Sequence, residues 1–286
     1  MNKGKIGVQM MMLRGKVEEI GVYETMRTLN ELGYHCVEVS QIPMTTENVA
    51  EMKRGSVDFD IEIAALSAAL EPMLPGAPGE TLTHDFDKIV NDCKTLDCHF
   101  LRIGMLPLNV MGHKDKIMEF IGKVDMMAIK LAEHGIELYY HTHHLEFQKY
   151  DGEYLLDMIK NNTSKLGFEL DVHWIQRAGE NPVEVIKKYE GRISLLHLKD
   201  YRIGQMDLSE VDFKDISKFM HIFTNTIEFA EVGEGNLDMP AIIDAGLEHG
   251  AQYFFVEQDD LYGRDPFDCL ETSRNNLREM GYADWF

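Results

Sequence analysis

The sequence predicts one (β/α)8 barrel, a TIM barrel occupying residues 1–286 as a single domain. Three observations point to it. Eight short apolar segments alternate with longer amphipathic ones from end to end. Such alternation implies parallel strands joined by right-handed helical crossovers. The length of 286 residues is close to the roughly 250 that a closed eight-stranded barrel uses. Finally, matching turn chemistry recurs where helices give way to strands: Leu32-Gly33-Tyr34, His134-Gly135-Ile136 and His249-Gly250-Ala251 each put glycine where a left-handed residue ends a helix.

Taken in order, strands are expected at 5–10, 35–40, 60–66, 99–105, 136–143, 166–172, 193–198 and 252–258. Lys5-Ile6-Gly7-Val8-Gln9 opens the series, and Cys36 sits in the apolar run of the second strand as core. Helical patterns lie near 17–33, 46–54, 81–96, 113–134, 152–161, 182–190, 239–249 and 266–280. Asn181-Pro182 and Asp265-Pro266 each pair a capping side chain with proline at the first helical position. Two stretches break the rhythm. Pro75–Glu80 reads as a loop after the third strand, and 201–238 is long for a connection between a strand and its helix. The middle of that insert, SEVDFKDISKFMHIF, has a helical pattern, and its place among the βα loops suits a lid or a decoration.

Composition narrows the function classes. A net charge of −21 repels phosphate backbones, and the longest basic clusters are pairs such as Lys187-Lys188, so nucleic acid is excluded as partner. No apolar run approaches the roughly 18–20 residues of a membrane helix. The N-terminal apolar run is too short for a secretory signal, so a cytoplasmic protein with free thiols at Cys36, Cys93, Cys98 and Cys269 is expected. The eighteen methionines read as core filler.

The chemistry concentrates at strand ends. Tyr139-Tyr140-His141-Thr142-His143-His144-Leu145-Glu146 ends the fifth strand and Phe168-Glu169-Leu170-Asp171-Val172-His173-Trp174 the sixth. Leu195-Leu196-His197-Leu198-Lys199-Asp200 ends the seventh and Phe254-Phe255-Val256-Glu257-Gln258-Asp259 the eighth. In a barrel these ends converge on one mouth. Polar groups following such apolar runs are costly to bury unless paired or coordinated. His173, two residues after Asp171, reads as a core or supporting histidine. Gly233-Glu234-Gly235 lacks the third glycine of a dinucleotide fingerprint and reads as a turn.

These stretches resemble the sugar phosphate isomerase/epimerase group of xylose-isomerase-like TIM barrels, which includes ketose 3-epimerases and inosose dehydratase. The pieces that look alike are YHTHHLEF, ELDVHW with AGENP, LLHLKD, EVGEGNLD and FFVEQDD. They crowd the second half of the chain. The resemblance implies one divalent metal ion held by Glu146, Asp171, His197 and Glu257, with Mn2+ preferred and Mg2+, Co2+ or Zn2+ as alternatives. It also implies that Glu146 and Glu257 exchange protons with the substrate. Thr142 stands where relatives often carry asparagine, and Trp174 where ketose epimerases carry histidine. His143, Trp174 and Lys199 are candidates for substrate contact.

The expected activity is isomerisation or epimerisation of a small sugar or polyol. A proton is removed alpha to a carbonyl polarised by the metal, through an enediolate. A lyase acting on a keto-inositol or 3-keto-glycoside would share the first step. A non-catalytic sugar-binding barrel is the reading outside enzymes. A homo-oligomer is the remaining partner considered.

Overall fold

The computed structural model describes residues 3–74, 76, 79–205 and 215–286. Eight parallel strands close a barrel: β1 (Lys5–Gln9), β2 (Cys36–Val39), β3 (Glu62–Ser67), β4 (Phe100–Ile103), β5 (Glu137–His141), β6 (Gly167–Asp171), β7 (Ile193–Leu198) and β8 (Tyr253–Val256). Each strand pairs with its sequence neighbours, and β1 pairs with β8 from Lys5↔Tyr253 to Val8↔Val256, which seals the ring. All eight coincide with the expected segments. The helices that wrap the barrel include α1 (Arg14–Glu31), α2 (Thr46–Asp58), α3 (Phe86–Leu96), α4 (Lys114–Ala132) and α5 (Leu155–Asn161). They continue with α6 (Val172–Arg177), α7 (Pro182–Lys188), α8 (Ile216–Thr224), α9 (Met239–Glu248) and α10 (Pro266–Leu277).

The turn chemistry acts as expected. Gly33, Gly135 and Gly250 all take positive φ. Asn181 Oδ1 accepts from the Val183 amide at 2.9 Å, and Asp265 Oδ1 from the Phe267 amide at 2.8 Å, so both proline-led helices are capped by side chains. All four cysteines are buried and free.

Strand alternation divides the core. Outward residues such as Ile6, Val37, Ile63, Leu101, Phe168 and Leu196 pack against the helices. Inward ones form a separate apolar plug of Cys36, Ala64, Ala65, Tyr139, Leu195 and Phe255, with Phe100 and Tyr253 against it. Gly167 makes room there, because a Cβ at that position would stand 2.3 Å from the Tyr139 ring. The plug fills one end of the barrel; the other end is polar.

Two features were not expected. The sixth strand runs directly into α6, a short helix ahead of the anticipated one. The long insert begins and ends as an antiparallel ribbon, Asp200–Ile203 against Ile227–Ala230. Part of SEVDFKDISKFMHIF, residues 209–214, lies outside the described residues; the rest contributes α8, which buries none of its side chains. Asp200 ties the insert down. Its carboxylate accepts from the amides of Tyr201 (2.8 Å), Gly233 (3.0 Å), Gly235 (3.2 Å) and Leu237 (3.2 Å). A Cβ at position 235 would stand 2.1 Å from Asp200 Oδ1, so the GEG stretch is a turn fitted to this carboxylate. Among the described residues no helix is long and apolar enough to cross a membrane.

Candidate active site and metal centre

Alternation along each strand sends every second side chain inward. On β5 that face carries Tyr139 and His141, on β6 Glu169 and Asp171, and on β7 Leu195 and His197. At the end of β8 it carries Phe255 and Glu257. At the polar end these faces converge. His141 Nε2 lies 3.1 Å from His197 Nδ1, and Glu257 Oε2 lies 2.7 Å from the same His197 nitrogen. Asp171 Oδ2 is 3.6 Å from His141 Nε2 and 3.8 Å from His197 Nδ1. The four donor atoms stand within 4.8 Å of one another, and all four residues are buried.

Three of the four residues are aimed by a second contact, while His141 Nδ1 is buried without a hydrogen-bond partner among the described residues. Asp171 uses Oδ1 to cap α6, accepting from the Trp174 amide at 3.1 Å, which leaves Oδ2 for the site. Its own amide donates to Thr142 Oγ1 at 3.1 Å. Gln9 Nε2 donates to Glu257 Oε1 at 3.1 Å, which leaves Oε2. His197 Nε2 faces Glu38 Oε1 (3.2 Å) and Glu169 Oε1 (3.3 Å) in the layer beneath, which leaves Nδ1. Arg102 Nε sits between those carboxylates, 2.8 Å from Glu38 Oε1 and 3.2 Å from Glu169 Oε2. A carboxylate behind a ligating imidazole is how metal-binding histidines are commonly oriented.

The electrostatics suit a cation. Among the described residues, Glu38, Glu169, Asp171, Glu257 and Asp259 face the fixed positive groups Arg102 and Lys199. Burial pulls the His197 imidazole down, but the carboxylates Glu169, Glu257 and Glu38 raise it. Lys199 Nζ bridges Asp171 Oδ2 (2.9 Å), Glu257 Oε2 (2.7 Å) and Asp259 Oδ1 (3.0 Å). Burial pulls the Lys199 ammonium down, but these carboxylates outweigh it and keep it charged. Burial, and then the charge of Glu38, push the Glu169 carboxyl up to about 8. Burial raises Glu38 as well, but Arg102 and His197 hold it well below the ordinary range. Burial followed by His197 keeps His141 far below the usual imidazole value, and burial followed by His141 takes His143 to about 2. Both imidazoles are therefore neutral. A set of two imidazoles and two carboxylates, with a surplus of negative charge around it, fits a borderline divalent ion.

A cavity of about 1150 Å³ opens over this centre, with His141, His143, Lys199, Glu257 and Asp259 on its wall.

The chain matches the family model described as xylose isomerase-like TIM barrel over residues 26–285. It belongs to the xylose isomerase-like TIM barrel family. The inosose dehydratase of Lacticaseibacillus casei is 26% identical over 157 residues, which are 54% of this chain and 51% of that protein, so the match spans about half the length of that relative. A solved sugar phosphate isomerase/epimerase from Parabacteroides distasonis ATCC 8503 superposes with a TM-score of 0.73 at 21% identity, covering 99% of this chain and 96% of that one. An L-ribulose 3-epimerase superposes at 0.69 with 13% identity, covering 97% and 94%. At these identities the superpositions speak for the barrel alone.

In this member of the xylose isomerase-like family, the structure brings Asp171, His197 and Glu257 together and sets Glu146 apart. Among the described residues, the fourth residue whose donor atom lies within 4.8 Å of these three is His141, and Glu146, expected there, is not in that group. Glu146 lies on a 3-10 turn, Leu145–Phe147, beyond the strand end. Its carboxylate accepts from the Tyr140 hydroxyl at 2.8 Å and the His143 amide at 2.7 Å. It is fully buried and not among the residues lining the cavity. The physical reason is reach: His141 is the last inward residue of β5, whereas Glu146 folds back onto the turn that follows it.

His143 and Lys199 do line the cavity. Trp174 does not. Its ring packs behind them, with centroids 4.9 Å from His144, 5.8 Å from His143 and 4.8 Å from His173, and with Lys199 Nζ 5.4 Å above it. His173 is core, enclosed by Trp174, Tyr201 and Phe229. Gln9, Glu38, Arg102, Glu169 and Asp259 were missed by the sequence reading. Their signal was a polar residue inside or just after an apolar run, as in CVEV, FLRI and FELD. The methionines are not all filler: Met11, Met12, Met44, Met73 and Met105 line the cavity.

Proposed function

We propose that this protein is a divalent-metal-dependent isomerase or epimerase of a small sugar or polyol. The observation that carries the reading is the convergence of His141 Nε2, Asp171 Oδ2, His197 Nδ1 and Glu257 Oε2 in one buried cluster, of which His141 and Glu257 reach the cavity wall. Those four residues would hold the metal, and two imidazole donors favour Mn2+, Co2+ or Zn2+ over Mg2+. When bound, the ion supplies Lewis acidity to a substrate carbonyl, which makes the proton alpha to it removable.

The protein's own groups do the rest. Glu257, held at Oε1 by Gln9, lines the cavity and is the carboxylate that takes the proton. Asp259 stands on the same wall, 3.0 Å from the Lys199 ammonium, and is the carboxyl that returns a proton. Lys199 donates to a substrate oxygen and offsets developing negative charge. His143, neutral and lining the cavity, orients a hydroxyl. Glu146 supports the site by fixing the turn that carries His143, and is not in our reading one of the proton-transfer pair.

A lyase is the second reading. Similarity to inosose dehydratase supports it, and Lys199 is placed to donate to a departing oxygen after the same proton abstraction. Incubation with open-chain ketoses and keto-inositols in D2O, followed by mass spectrometry, tests both. Deuterium uptake at constant composition is expected for isomerisation, and loss of water or of a substituent for elimination. Neither outcome with any substrate of these classes, together with tight sugar binding, would leave a sugar-binding barrel.

A further inference from the structure

The mouth of the barrel has two unlike halves. Strands β5 to β8 end in the charged groups of the site. Strands β2 to β4 end in small residues: Ser40 after β2, Ser67, Ala68 and Ala69 at the end of β3, and Gly104 after β4. These small residues leave the cavity deep on that side. Its total of about 1150 Å³ lies above the roughly 300–1,000 Å³ of sites that enclose drug-sized ligands. A free sugar at the charged half would leave the other half unfilled.

The wall above the small residues is apolar. Met11, Met12, Ile42, Met44, Met73 and Met105 line it. Methionine is unbranched and polarisable, and it moulds to varied apolar shapes. Two of the three cations on the cavity wall are paired with carboxylates. Arg102 is held by Glu38 and Glu169, Lys199 by three carboxylates, and Arg14 Nη1 donates to Gln41 Oε1 at 3.0 Å.

We propose that the substrate is a sugar or cyclic polyol carrying an apolar substituent, aryl or alkyl, which lies along the methionine wall while the oxygenated ring sits over His141, Asp171, His197 and Glu257. The placement of the ring rests on the function proposed above; the apolar subsite rests on the cavity alone.

The test uses the full-length protein as purified and pairs of probes: D-glucose, D-galactose and D-xylose against their phenyl glycosides, read by ligand-observed NMR and calorimetry. At least one phenyl glycoside should bind about 10-fold or more tightly than its parent sugar, as burial of an aromatic ring predicts. Met73→Ser/Met105→Ser should remove that gain and leave binding of the parent sugar unchanged; Met44→Ser serves as a milder variant should the double substitution unfold. No gain in any pair, or a gain that survives these substitutions, overturns the proposal. Metal analysis and deuterium exchange separate the two levels. An aryl gain in a protein without metal or exchange would sink the isomerase reading and keep the apolar subsite. Exchange with free ketoses, with no aryl gain, would do the reverse.

Discussion

The imidazole of His197 uses both of its nitrogens, Nδ1 toward Glu257, Asp171 and His141, and Nε2 toward Glu38 and Glu169. That division makes separate demands on separate residues. His141→Ala and Glu257→Gln should strip the metal from the purified protein, as measured by elemental analysis. Glu38→Gln should weaken metal affinity by about 10–100-fold in chelator competition, because it loosens the imidazole without removing a ligand. Glu146→Gln should keep the metal and lose stability instead, since it disturbs contacts to Tyr140 and the His143 amide. Loss of metal in Glu146→Gln at full occupancy of His141→Ala would reverse the assignment of these two residues. That Asp171, His197 and Glu257 come together was legible because each ends an apolar strand with a metal-capable group. Glu146 is harder to place from sequence, because four residues separate it from His141 and sequence spacing does not say where a turn points. His141 was readable by parity with Tyr139, had the inner face been counted from the plug outward.

At the scale of elements, Asp200 and the GEG turn form one unit. The carboxylate receives four backbone amides from residues at both ends of the insert, and position 235 has no space for a side chain. Gly235→Ala and Asp200→Ala should each destabilise by about 1–3 kcal/mol, the cost of unsatisfied buried amides or displaced backbone. The double substitution should cost less than the two combined, because both break the same contact. Thermal melts of the three variants check this, and simple additivity would show that turn and carboxylate act independently. Barrel strands and helix caps were legible, since alternation, Asn-Pro, Asp-Pro and helix-ending glycine are local signals. The ribbon and α6 were not. The ribbon pairs Asp200 with Ala230 across a long insert, and α6 exists because Asp171 caps a turn while also serving the site.

For the whole molecule, an ion bound in this acidic interior would add to the stability of the fold. Saturation at a hundredfold excess over Kd contributes about 2.7 kcal/mol. For a chain of this size the melting temperature should rise by several degrees on adding Mn2+, Co2+ or Zn2+ to chelator-treated protein. An unchanged melt with all of these ions would count against the centre. The closed ring was predictable from eight alternations, but the charged layer inside it was not, because it joins strands distant in sequence. Glu38 meets Arg102 across 64 positions and His197 across 159. The ring itself is sealed by residues near opposite ends of the chain, Lys5 beside Tyr253. Contacts of such long range reward the chain only after large loops have closed. The Glu38–Arg102–Glu169–His197 layer is therefore expected among the last parts to assemble, with its influence on how quickly the native barrel comes apart. Glu38→Gln should accelerate unfolding in stopped-flow denaturant jumps while leaving refolding nearly unchanged. On this reading the layer that aims the imidazole is also the one that sets how long the native barrel lasts.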